Sequence, residues 1–88
     1  MHPLIHFSEA IQRTKSTQLK VSLRAIEDRT FVDIRICVRQ NGEYLATNKG
    51  VTVPIMIFDE LMETLKKIED DPTTTKMKEE YNGIKKED

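Results

Sequence analysis

Leu19-Lys20-Val21-Ser22-Leu23-Arg24-Ala25-Ile26, followed beyond Glu27-Asp28-Arg29 by Thr30-Phe31-Val32-Asp33-Ile34-Arg35-Ile36-Cys37-Val38-Arg39, is the stretch on which the fold turns. Both runs alternate with the period of two that a strand imposes. In the first, Leu19, Val21, Leu23 and Ala25 share one face, and Lys20, Ser22, Arg24 and Ile26 the other. In the second, Thr30, Val32, Ile34, Ile36 and Val38 form a β-branched row, a composition that favours strands, with Phe31, Asp33, Arg35, Cys37 and Arg39 opposite. Glu27-Asp28-Arg29 makes a tight polar turn between them, so the two runs pair antiparallel and bring their polar faces together.

Working outward, Gln40-Asn41-Gly42 supplies the next turn, since Asn-Gly is the natural pair for positive φ. A third strand is expected over Glu43–Asn48, a break at Lys49-Gly50, and a short fourth strand over Val51–Val53, stopped by Pro54. Phe58, Leu61, Met62, Leu65 and Ile68 then follow the spacing of an apolar helical stripe over residues 55–69, with Phe58, Leu61 and Leu65 as its core or dimer contacts. Lys66 and Lys67 sit near the helix end, where they suit the dipole, and Asp70-Asp71-Pro72 ends it. Residues 73–88 are rich in Thr, Lys, Glu and Asp and read as a disordered tail; Met77, Tyr81 and Ile84 at i, i+4, i+7 give the alternative of a short helix formed on a partner. Before the first alternating run, His2 to Phe7 reads as an edge strand, Ser8 as the cap of a short helix through about Arg13, and residues 14–17 as loop. The division is thus 1–18 as an N-terminal extension, 19–70 as the folded domain and 71–88 as a charged tail. The fold class is α+β: a four-stranded antiparallel meander followed by one helix. One helix covers only part of one sheet face, and a twofold partner would cover the rest, so a homodimer is expected.

With 88 residues the chain makes one small domain, of a size that association often helps to stabilise. Its single cysteine, Cys37, forms no intramolecular disulfide, which suits a reducing, intracellular location. No apolar run approaches a membrane span, and the first residues lack a signal peptide's basic start and apolar run. The net charge of −1 hides a division: residues 1–53 carry eight basic and five acidic residues, whereas residues 54–88 carry six basic and ten acidic. A near-neutral protein sorted in this way presents a local basic surface that steers a polyanion.

Catalytic constellations are missing from the sequence. The three glycines, Gly42, Gly50 and Gly83, form no phosphate loop; His2 and His6 have no third ligand nearby; Cys37 has no adjacent His. The sequence therefore points away from an enzyme and names no cofactor. Asp33, between basic neighbours, reads as a salt-bridge partner. What remains is the strand face bearing Lys20, Arg24, Arg35 and Arg39, with Arg29 in the turn. Same-face side chains repeat roughly every 7 Å along a strand, from about 3.4 Å per residue, close to the phosphate spacing of an extended single strand. Such a groove tracks a nucleic-acid backbone, and Phe31 and Tyr44 are the aromatics available to stack on bases.

Val21-Ser22-Leu23-Arg24, Val32-Asp33-Ile34-Arg35, Asn41-Gly42-Glu43, Lys49-Gly50-Val51-Thr52-Val53 and Phe58-Asp59-Glu60-Leu61, in that order, resemble the C-terminal core of the positive cofactor four family of transcriptional coactivators. The resemblance spans about residues 19 to 68. It implies a curved four-stranded sheet followed by a helix, a homodimer joined partly through the helices, and binding of single-stranded or melted DNA with little sequence preference. The family's basic positions carry over to Arg24, Arg29, Arg35 and Lys49, and its large aromatic at the helix start to Phe58. Ile26, Glu27, Val38 and Leu45 stand where the family has an aromatic, a lysine, a tryptophan and a lysine, so stacking and charge are both reduced. The expectation is a non-enzymatic single-stranded DNA-binding protein serving transcription regulation, replication, recombination or repair. The small size and the missing serine- and acid-rich regulatory arm suggest a bacterium or a virus-infected cell rather than a eukaryotic nucleus. RNA binding through the same face is chemically close. The alternative is a protein-interaction module that kept the fold and docks transcription or replication proteins through its tail.

Overall fold

The computed structural model describes residues 4–84. Four antiparallel strands precede two helices: β1 (Leu4–Gln12), β2 (Thr17–Ile26), β3 (Arg29–Gln40), β4 (Glu43–Pro54), then a 3₁₀ turn at Ile55–Ile57, α1 (Phe58–Asp70) and α2 (Pro72–Ile84). The strands lie in chain order, each paired to the next, so the sheet is a meander. The chain forms two compact units with their boundary between Met56 and Ile57. Among the described residues no helix is long and apolar enough to cross a membrane. The expectations that involve His2, Pro3 and residues 85–88 lie outside the described residues, as does the side chain of Ile84.

β2 and β3 have the register their alternation calls for: Lys20 lies opposite Arg35, Ser22 opposite Asp33 and Arg24 opposite Phe31, while Leu19, Val21 and Leu23 face Ile36, Ile34 and Val32. Asn41 and Gly42 have φ of 53° and 82°, the two positive values that a two-residue hairpin of the I′ type requires. The β2–β3 turn is tighter than expected. Arg29 already pairs with Ile26, leaving Glu27 and Asp28 as the loop, and Glu27 takes a φ of 57°.

Three expectations are corrected. Ser8 starts no helix; the chain stays extended from Leu4 to Gln12 and pairs with β2, with one irregularity between Ile5 and Phe7. The segments read as a third and a fourth strand are one strand, β4, bulged opposite the Arg35–Cys37 step. There, Ala46 pairs with Cys37 and Gly50 with Arg35, and the Thr47 hydroxyl donates to the Ile36 carbonyl at 2.7 Å in place of a regular ladder bond. Finally, one helix becomes two. Asp71 ends α1 but also caps α2: its carboxylate accepts from the Thr73 amide at 2.7 Å, and Pro72 takes the first helical position, where a missing N–H costs nothing.

Candidate nucleic-acid interface

The polar face of the sheet is concave. Gln12 on β1 and Tyr44 on β4 stand on opposite edge strands, which three inter-strand steps would separate by about 14 Å in a flat sheet. Yet the Gln12 amide donates to the Tyr44 hydroxyl at 2.9 Å. Gln18, on the strand beside β1, donates to Gln12 Oε1 at 3.1 Å. The two bulges supply the bend that this closure needs. At the middle of the face Ser22 and Asp33 are buried, with the Ser22 hydroxyl 3.2 Å from that of Ser8.

A cleft of about 280 Å³ opens on this face. β2 contributes Lys20 and Arg24, β3 contributes Asp33, Arg35 and Cys37, and β4 contributes Tyr44, Ala46 and Thr47. The cations do not stand alike. Arg35 is fixed: its Nη2 donates to Asp33 Oδ1 at 2.6 Å and its Nε to Asp33 Oδ2 at 3.3 Å, a bidentate clamp, and the Thr52 hydroxyl adds a bond to Oδ1 at 3.3 Å. The Arg35 hydrogen bond holds the Asp33 carboxyl below its ordinary pKa against the opposing effect of burial, and the charges of Arg35 and Arg24 add to it. The same bond raises Arg35. Arg24 differs: it lines the cleft without an ion-pair partner, and its Nε is buried with no hydrogen-bond partner.

Gly50 shapes this arrangement. A Cβ there would collide with the Ile34 carbonyl, come within 2.9 Å of Arg35 Cα and stand 3.2 Å from Arg35 Cζ. The bare backbone lets β4 close against β3 and leaves room for the Arg35 guanidinium.

Of the residues singled out from the sequence, Lys20, Arg24, Arg35 and Tyr44 come together in the cleft. Arg29 and Phe31 line a second, larger and mainly apolar pocket of about 560 Å³ at the β2–β3 turn end, walled by Ile26, Pro54, Ile55 and Met56. Arg39 pairs with Tyr44 and is exposed beyond the cleft, while Lys49 lies on the exposed bulge; neither lines either cavity. On α1, Phe58 and Leu61 are half-buried and Leu65 is exposed. Sequence reasoning did not single out Gln12, Gln18 or Ser22. The first follows only once residues 4–12 are read as a strand, and the other two are polar residues on a face otherwise judged by its charge.

No protein-family model, curated protein or solved structure matches this chain.

Proposed function

We propose that the concave face binds single-stranded nucleic acid, with Lys20 and Arg24 as the cations that meet phosphate. Arg24 carries the reading. Unlike Arg35, it forms no ion pair among the described residues, so its charge is left for an anion in the cleft that it lines. Lys20 stands beside it in the same cleft, and the edge-to-edge curvature gives a groove rather than a flat patch. The residues in common with the positive cofactor four family support the same ligand: single-stranded or melted DNA, bound with little sequence preference.

The proposed form is a homodimer. Among the described residues the buried apolar side chains are only Val32, Cys37 and Val53, while Phe7, Ile11, Val51, Met62, Leu65 and Ile68 are each about half exposed. A core this small is expected to need cover from a second copy. A protein-docking role is the second reading, favoured by the exposure of Met77 and Tyr81 on α2. Deleting residues 72–88 would abolish partner capture under that reading and leave DNA affinity unchanged under the first.

The test is fluorescence anisotropy of a labelled single strand of about 20 nucleotides against the matched duplex, at low and moderate salt. Tighter binding of the single strand, weakening steeply with salt, is expected. No binding at low salt would reject the proposal.

A further inference from the structure

Phe31 is the direct cross-strand partner of Arg24 on the same face of the sheet. Arg24 lines the cationic cleft and Phe31 the apolar pocket, so the two cavities adjoin at one pair of residues. Directly opposed side chains have Cβ atoms about 5 Å apart. A group held at Arg24 therefore lies beside whatever occupies the pocket.

The pocket's chemistry is of two kinds. Its walls are the Phe31 ring and the apolar side chains of Ile26, Pro54, Ile55 and Met56; its polar rim carries Asp28 and Arg29. Ile55 is 46% exposed and Met56 83% exposed, so apolar surface is left facing water at this rim. A purely apolar occupant would leave Asp28 and Arg29 unused, and a purely ionic one would leave the walls uncovered. A nucleobase fits both, with π-faces to set against an aromatic ring and a polarisable thioether and an edge of donors and acceptors for the rim.

We infer that this pocket receives one unstacked nucleobase of the strand whose phosphate meets Arg24, an inference that rests on the cleft reading above. Phe31 and Met56 are the side chains that would sandwich the base, Met56 from the solvent side.

The test compares two labelled strands of equal length, oligo-dT and the same backbone with abasic sites throughout, against the wild type, Phe31→Ala and Met56→Ser. A base in the pocket makes wild type prefer oligo-dT, and Phe31→Ala weakens oligo-dT binding by about 5- to 150-fold, the range of one lost stack, while abasic binding is unchanged. Met56→Ser, at a side chain too exposed to hold the fold, shifts oligo-dT binding in the same direction. Equal loss on both strands, or no loss on either, overturns the pocket and leaves the cleft standing. Failure of wild type to bind either strand at low salt removes the cleft reading as well. Because the chain has no tryptophan, Phe31→Trp, with its fold checked by circular dichroism, gives a second readout. Its emission is expected to quench on saturation with oligo-dT and not with the abasic strand; unchanged emission with both would also overturn the inference.

Discussion

Replacing Asp33 with Asn keeps the shape of the side chain and removes its charge. Asp33 is 6% exposed and accepts two hydrogen bonds from Arg35 and one from Thr52. Hydrogen bonds to charged groups contribute about 1.5–3 kcal/mol each; Asn keeps one acceptor oxygen, so the expected loss is about 2 kcal/mol. For a domain of this size that lowers Tm by about 10 °C. Binding moves the other way. In the free protein the carboxylate holds the Arg35 guanidinium and repels an incoming phosphate; without it Arg35 becomes a further phosphate ligand. One ion pair of this exposure adds up to about 1 kcal/mol, roughly fivefold in Kd. The slope of log Kobs against log salt steepens by about 0.7 for one more phosphate on a single strand. Calorimetry and anisotropy across a salt series read both effects. Weaker binding by D33N, or an unchanged slope, would refute this reasoning. Arg35 would then meet phosphate in the pose Asp33 gives it, and the carboxylate would be a positioning group rather than a competitor.

Acid should report the same ion pair. The Asp33 carboxyl titrates lower in the folded chain than the unfolded value of about 3.9. Its stabilisation is therefore complete above that value and is lost as pH falls through the folded value; the urea midpoint is expected to drop below about pH 4, by less in Asp33→Asn. Gly50→Ala should cost about 1–3 kcal/mol by overpacking, because the new Cβ meets the Ile34 backbone and not a yielding side chain, and the loss is read as a lower urea midpoint. Glu27→Gly should stabilise the fold by about 1 kcal/mol and so raise that midpoint, since a non-glycine residue at φ 57° is strained.

The centre of the sheet was legible because β2 and β3 alternate without interruption, and period two fixes both the faces and the register. The Asn41-Gly42 hairpin and α1 were legible for equally local reasons. β1 was not. Its apolar residues Leu4, Phe7 and Ile11 fall on one face only after the irregularity between Ile5 and Phe7 resets the alternation, and Ser8 resembles a helix cap. Lys49-Gly50 read as a break because a glycine in a strand signals either an interruption or a close approach, and only the neighbouring strand reveals which. Asp71-Pro72 carries both a stop and a start, and the apolar spacing of Met77, Tyr81 and Ile84 offers a helix only on a partner; the Asp71 cap that starts it shows in the structure. At the site, charge on alternating strands groups Lys20, Arg24, Arg35 and Arg39, and only the family resemblance adds Lys49. The clamp on Arg35 and the positions of Arg39 and Lys49 outside the cleft depend on side-chain geometry that spacing does not contain.

Arg24→Ala compared with wild type, by anisotropy on a labelled single strand from low to moderate salt, tests the central claim most directly. Binding is expected to weaken at every salt concentration and the log–log slope to become shallower by about 0.7, one phosphate contact, with circular dichroism unchanged. Affinity and slope equal to those of the wild type would contradict the account, because the cation whose buried Nε lacks a partner would then have no part in holding the strand.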